Sequence, residues 1–295
     1  MTRRQKEILI KYLFFLFSLI SLLILFLIVV FLFREGLPIF KEVKLWDFLF
    51  GKEWYPTYDP PSYGIWPLIV GSLIVTVLSS LIAVPIGVMS AIYISEIAPA
   101  ALKEVLKSAI ELLAGLPSVV LGFFGMVVLA PWLQETFDLP TGLNIINASL
   151  ILALMAVPTI SSISEDALYA VPREYKEASY ALGATKFETI TRVIIPSAFS
   201  GITTAVILGM ARAIGETMVV LMVAGGAAAI PESLFDSVRP LPASIAAEMG
   251  EAPFRSGHYH ALFATGIVLF FLTLAFNLIA DYVSHKFKEE GSGTL

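Results

Sequence analysis

Pro172-Arg-Glu-Tyr-Lys-Glu-Ala-Ser-Tyr-Ala-Leu-Gly-Ala-Thr-Lys-Phe-Glu-Thr-Ile-Thr-Arg-Val-Ile-Ile-Pro196 is a polar stretch set between two strongly apolar ones. Proline suits the first turn of a helix, where its missing N–H has no intrahelical use, and Tyr175, Ala178, Ser179 and Leu182 then fall on one face at i, i+3, i+4 and i+7. Gly183 stops that helix, because glycine accepts the left-handed conformation common at helix C-termini. Thr185 followed by Glu188 has the spacing of a capping box and opens a second short helix, with Phe187, Ile190 and Ile194 on one side. A polar helix–glycine–helix between membrane-grade segments is built to be gripped by a soluble partner.

The arrangement resembles the EAA loop of ATP-binding-cassette importer permeases, carried here by Glu177, Ala178, Ser179, Gly183, Val193, Ile195 and Pro196. Three of these depart conservatively from the family pattern: Ser179 for Ala, Val193 for Ile and Ile195 for Leu. The resemblance implies a cytoplasmic coupling helix that docks into a groove on an ATPase subunit.

Composition agrees that the chain lives in a bilayer. Of its 295 residues 57% are hydrophobic and 15% charged, with a mean hydropathy of +0.84, more apolar surface than a soluble core can hide. Leu13 to Phe33 carries no charge over 21 residues, enough to cross a hydrocarbon core of about 30 Å at 1.5 Å per residue. It exceeds the h-region of a signal peptide and no small-x-small cleavage site follows, so it reads as a retained first helix. Further apolar segments fall near 67–95, 108–131, 147–165, 198–224 and 259–282. The expected fold is an all-α integral membrane protein with six transmembrane helices. Residues 1–66 form the first helix and first extracytoplasmic loop; residues 67–295 form the permease domain, with the coupling loop at about 166–197.

Basic residues orient it. Arg3, Arg4, Lys6, Lys11, Lys103, Lys107, Arg173, Lys176, Lys186, Arg192, Lys286 and Lys288 lie on one side; Arg34, Lys41, Lys44, Lys52, Arg239 and Arg255 lie on the other. The positive-inside rule makes both termini and the EAA-like loop cytoplasmic. The outer loops, about 34–66 and 225–258, are rich in aromatics such as Trp46, Trp54, Tyr55, Tyr58, Tyr63 and Trp66. An interfacial aromatic belt accounts for such rings, and a platform for an extracytoplasmic binding protein is compatible with it. Pro85, Gly87, Gly115, Pro117, Gly122, Gly125 and Pro158 interrupt the spans, as in helices that line a cavity or pack closely.

Within the fifth apolar segment, Arg212 and Glu216 stand four residues apart. An arginine near the bilayer centre costs about 2.5–3.5 kcal/mol on insertion scales, so it asks for a function or a partner. A mutual ion pair is one account, although Arg before Glu runs against the favoured i, i+4 order. Gly201, Ala205, Gly209 and Ala213 form a small-residue stripe beside it. If that stripe is a subunit seam, Arg212 faces a central path, where its planar fork suits a dehydrated oxyanion and Glu216 holds it in place.

Arg-Ala-Ile-Gly-Glu-Thr at 212–217 is similar to the Arg-Ala-x-Gly-Glu-Thr motif of the phosphate-specific (Pst) importer permeases, and Met218 fits the C-type subunit. So do Tyr63-Gly-Ile with Pro67-Leu-Ile-Val-Gly-Ser-Leu, the run from Glu111 to Gly125, Ile245-Ala-Ala-Glu-Met-Gly-Glu-Ala, and His258-Tyr-His-Ala-Leu-Phe-Ala. The resemblance implies the type I importer permease fold, a substrate pathway through Arg212, Glu216 and Thr217, and a prokaryotic plasma (inner) membrane location. The implied partners are an A-type permease subunit, an ATPase dimer, an extracytoplasmic phosphate-binding protein, inorganic phosphate and the lipid bilayer, with no nucleic acid.

The sequence has no Gly-x-x-x-x-Gly-Lys-Ser/Thr phosphate loop, no His-Glu-x-x-His, no Gly-x-Ser-x-Gly elbow and no cysteine, so ATP hydrolysis is assigned to a partner and no cofactor or metal is expected. His258 and His260 read as interface residues without acidic companions, Glu165, Asp166 and Asp281 as solvated helix ends in preference to gates or coupling contacts, and Glu248 and Glu251 as either water-facing or binding-protein contacts. An ion-coupled secondary transporter would need inverted repeats, which are not found, and would leave the EAA-like loop without a task. Molybdate or sulfate as cargo is opposed only by the Pst-like segments.

Overall fold

The computed structural model describes residues 3–292. The chain folds into helices α1 (Arg3–Gly36), α2 (Leu45–Phe50), α3 (Trp66–Ile92), α4 (Ala100–Ala114), α5 (Ser118–Phe124), α6 (Ala130–Phe137), α7 (Ile145–Tyr169), α8 (Arg173–Ala181), α9 (Lys186–Thr189), α10 (Ile195–Ser197), α11 (Phe199–Ile214), α12 (Met218–Val223), α13 (Leu241–Glu248) and α14 (Gly257–Ser292). Wide π turns at Tyr93–Ile97, Gly125–Leu129 and Ile190–Ile194 join several of them.

Among the described residues five helical segments are long and apolar enough to cross a membrane: Ile10–Lys41, Trp66–Ile97, Ser118–Phe137, Ile145–Tyr169 and Gly257–Ile279. A sixth arises if Lys186–Ser197 and Phe199–Ile214, bent by 68°, are taken as one span. Spans α3, α7, α11 and α14 form the packed centre, in which Ala83, Ala153, Ala156 and Ile160 make one buried cluster and Val75, Leu121, Ile145, Ile151, Val219 and Val223 another. By contrast α1 leans on the bundle near one end only, Phe31 edge-on to Phe263 at 5.6 Å and Phe33 edge-on to Phe271 at 6.0 Å. Its most apolar window is wholly unburied, the signature of a helix whose solvent is lipid.

Two spans differ from the sequence reading. The segment expected near 108–131 runs instead over Ser118–Phe137, because Gly115-Leu-Pro117 closes α4 before the span begins. Helix α4, with Lys103, Lys107 and Glu111, is a separate amphipathic helix. The segment expected as one helix over 198–224 ends at Ile214 and restarts at Met218. Gly215 closes α11, and the Glu216 carboxylate takes over the first N–H groups of α12, at 3.2 Å from Met218 N and 3.4 Å from Val219 N.

At the end opposite α8 and α9, a short hairpin pairs Trp54 with Tyr63 and Tyr55 with Ser62. Trp54, Tyr63, Ile39, Phe48 and Ile65 pack there with Leu241, Ala261 and Leu262 into a core of their own. Burial, and behind it the Glu42 carboxylate, pushes the Tyr63 phenol above its ordinary value, so it stays neutral. This soluble-type core shows that the aromatic loop is folded structure; of its rings Trp46 and Tyr58 stand most in the open, with Phe50 and Tyr55 exposed to a lesser degree.

Candidate functional site

The Pro172–Pro196 loop forms as its spacing predicts. Helix α8 begins after Pro172, and Gly183 reverses the chain at φ +84°, with Gly183 N donating to Tyr180 O at 2.9 Å and Ala184 N to Ser179 O at 3.2 Å. A full capping box opens α9: Glu188 N donates to Thr185 Oγ1 at 3.3 Å and Thr185 N to Glu188 Oε2 at 2.9 Å. The two limbs are clamped by a buried Ser179–Thr189 hydroxyl pair at 2.9 Å. That corrects one detail of the expected faces. Ser179 turns inward while Tyr175, Ala178 and Leu182 remain exposed, and Phe187, 74% exposed, parts from the buried Ile190 and Ile194 because it sits at the tip, before the chain reaches the bundle.

Of the residues carrying the EAA resemblance, Glu177, Ala178, Gly183 and Pro196 lie on the surface, Val193 and Ile195 are half-buried, and Ser179 is the internal clamp. Leu182 is 90% exposed, and with Tyr175 and Phe187 it gives a polar loop an exposed apolar tip. Inboard, Lys176 donates to Glu96 at 2.7 Å, tying α8 to the π turn that ends the α3 span. Glu165, expected as a solvated helix end, is buried and lies 3.5 Å from both Lys103 and Lys107, whereas Asp166 is exposed. A buried carboxylate needs paired charge, and α4 supplies two.

Arg212 is exposed near the far end of α11, about 20 Å along the helix from Phe199 at 1.5 Å per residue. It donates through Nη1 to Thr159 Oγ1 of α7 at 3.1 Å, and its other N–H groups have no acceptor among the described residues. The expected hold of Glu216 on Arg212 is not among the ion pairs of the described residues: once Gly215 ends the helix, i, i+4 geometry no longer applies, and Glu216 caps α12 instead. Thr217, also half-buried, turns back on Gly215 O at 3.4 Å. The small-residue stripe is an internal seam. A Cβ at Gly209 would stand 2.6 Å from Ile160 Cγ1, and one at Gly201 would strike Ala167 Cβ, both on α7. The seam therefore presses α11 onto α7 and leaves Arg212 on the open flank, against the idea of the stripe itself as a subunit contact.

The opposite end holds a second charged cluster. Glu248 accepts from Trp54 Nε1 at 3.0 Å and from Arg239 Nη1, and meets His258 Nε2 at 2.8 Å, beside a cavity of about 860 Å³ also lined by Tyr55, Ala247 and Glu251. His258 thus has an acidic companion and is buried, contrary to the sequence reading, while His260 meets the Glu35 carbonyl at 2.7 Å. Among the described residues no three His, Cys, Asp or Glu side chains gather as a metal site.

Sequence reasoning missed Thr159, the Glu96–Lys176 pair and Asn147. The Asn147 amide bridges Gly125 O at 3.0 Å and Gly142 O at 2.9 Å and so anchors the π turn of the third span. An asparagine inside a strongly apolar helix was the available signal for the last, as was the proline just before Thr159.

Comparison with known proteins adds three findings. The family described as "Binding-protein-dependent transport system inner membrane component" matches residues 83–289. A probable ABC transporter permease protein, YqgH of Bacillus subtilis, is 43% identical over 263 residues, covering 88% of this chain and 85% of that one; phosphate transport system permease proteins PstC of Mesorhizobium japonicum and Haemophilus influenzae are 36% and 32% identical, covering 80% and 90% of this chain and 77% and 91% of theirs. Among solved structures, a bacterial alginate ABC transporter in complex with its pentasaccharide-bound periplasmic protein aligns over 100% of both chains with a TM-score of 0.65 at 18% identity, and the inward-facing MetNI methionine ABC transporter over 76% of this chain and 94% of that one, with a TM-score of 0.57 at 21% identity.

Proposed function

The chain belongs to the binding-protein-dependent transport system inner membrane components, and from that footing we propose that it is a permease subunit of an ATP-driven phosphate importer. In this reading it forms the translocation path with a second, A-type permease. A separate ATPase dimer docks on the Pro172–Pro196 loop, and an extracytoplasmic phosphate-binding protein delivers the anion to the opposite end. Both termini lie in the prokaryotic cytoplasm.

The observation that carries the reading is Arg212: a guanidinium on the open flank of an apolar bundle, steadied at one nitrogen by Thr159. Lipid does not tolerate that flank, so a second subunit must cover it, and the donors left over then face the joint path. A planar cation with spare N–H groups in a dry passage suits an oxyanion, and the PstC relatives name phosphate. Passage needs release as well as capture; a single arginine shared with a neutral hydroxyl offers binding without an enclosing cage.

The test is ATP-dependent uptake of labelled phosphate into vesicles holding all four components, with sulfate and molybdate as competitors. Uptake that needs ATP and ignores the competitors is expected; ATP-driven uptake of another anion would keep the architecture and overturn the cargo, and uptake without ATP would overturn both. Arg212→Ala should lower uptake at least tenfold, since one charge-assisted hydrogen bond is worth about 1.5–3 kcal/mol, while the ATPase still co-purifies. Normal uptake by that variant removes Arg212 from the path.

A further inference from the structure

The span ending in Glu96 is continuous from Trp66 to Ile97, and Glu96 is its attachment to the EAA-like loop: its side chain is 10% exposed and takes Lys176 Nζ at 2.7 Å and Ser95 Oγ at 3.0 Å. Further along the same helix, Gly87 is pressed against α7. A Cβ there would stand 2.8 Å from Ile160 Cγ2, and the opposite side of the same isoleucine fills the notch at Gly209, where a Cβ would stand 2.6 Å from Cγ1. Ile160, 1% exposed, is thus clasped between a glycine of α3 and a glycine of α11. Its chain neighbour Thr159 holds Arg212, and Arg212 lies three residues beyond Gly209.

We propose that the Lys176–Glu96 ion pair and the Gly87–Ile160–Gly209 clasp form one mechanical link from the loop to Arg212, with Lys176, Glu96 and Ile160 as positioning residues. The proposal rests on the reading of the loop as the ATPase contact and of Arg212 as part of the path. Close-packed interiors transmit displacement because they cannot be compressed, and glycine contacts leave no flexible side chain to absorb it. When α8 moves, Lys176 draws the end of α3; α3 carries Gly87 against Ile160; the turn bearing Ile160 and Thr159 shifts with respect to α11, and the guanidinium gains or loses its hydroxyl partner. The glycine in the fixed position on each side keeps the two helices in register with one isoleucine, so Arg212 is addressed by the loop and not merely by local packing.

The chain has no cysteine, so Leu208→Cys, exposed and one turn before Arg212 on α11, provides a single thiol. Its rate of maleimide labelling is measured in the reconstituted complex with and without ATP and vanadate. Trapping should change the rate about fivefold, the low end of site-to-site couplings. Adding Glu96→Lys should bring the ratio below about twofold, and adding Lys176→Glu to that variant should restore it. Gly87→Ala, which loads Ile160 without touching the ion pair, should blunt the change while the ATPase still co-purifies. No nucleotide effect on the thiol, an undiminished effect with Glu96→Lys or with Gly87→Ala, or no recovery in the charge swap would overturn the link. None of these rates depends on phosphate, so its failure and that of the phosphate reading are told apart by the uptake assay.

Discussion

The two ends of the molecule bury acidic residues in opposite ways. Glu248, at the hairpin end, is closed in by Trp54, Arg239, His258 and the Ser244 hydroxyl, drawn from the hairpin, the loop before α13, α13 itself and the start of α14. Glu96 and Glu165, at the loop end, are held by lysines: Lys176 on one, Lys103 and Lys107 on the other. An indole and an imidazole are rigid donors on short side chains and a guanidinium presents a planar, pre-organised fork, whereas lysine is a point charge on a flexible stem that can follow a moving partner. One end is bolted and the other is tethered. A bolted end suits a surface on which something must land in fixed register, and a tethered end suits a loop that shifts while staying attached.

The contrast predicts unequal losses. Glu248→Gln should be the most destabilising of these changes, about 3 kcal/mol, because one carboxylate serves the buried Trp54 and His258 together with Arg239 and Ser244, and hydrogen bonds to a charged group are worth about 1.5–3 kcal/mol each. Thermal unfolding in detergent reads it, and an unchanged midpoint would mean that the cluster is not a bolt. Glu165→Gln should cost only about 1 kcal/mol, since Lys103 and Lys107 are 30% and 43% exposed and swing back to water. If the two substitutions prove equally costly, the distinction between the ends fails.

Local order was readable in the sequence and long-range order was not. The loop with its Gly183 reversal and Thr185–Glu188 box is written in residues at most a few positions apart, and the structure reproduces it. Three apolar segments, near 67–95, 147–165 and 259–282, likewise match the observed spans to within a few residues, and the first begins where expected but continues beyond its charge-free run. The third span was misplaced because α4 is apolar enough to merge with it, although Lys103, Lys107 and Glu111 mark α4 as a helix with a charged face. Arg212 was singled out by the cost of its charge, but its partner was assigned by helix periodicity, which Gly215 cancels. Thr159 lies 53 residues from Arg212, and Trp54 lies 194 from Glu248; no pattern within a helix reaches such a partner.

The smallest effect is the sharpest test of the tethered end. Thr185 caps a helix of only four residues at an exposed tip, so Thr185→Ala should cost about 0.5 kcal/mol, the low end for a capping residue, and leave the thermal midpoint where it was. What it should change is local: the Glu188 N–H loses its acceptor, the Glu188 carboxylate loses the hydroxyl that donates to it at 2.8 Å, and the amides of Lys186–Thr189 should exchange with deuterium a few times faster. Thr185→Ser keeps the oxygen and should restore protection. If instead the alanine variant lowers the midpoint as Glu248→Gln does, the loop is welded into the global fold, and a segment welded in that way has no freedom to pull on α3 through Lys176.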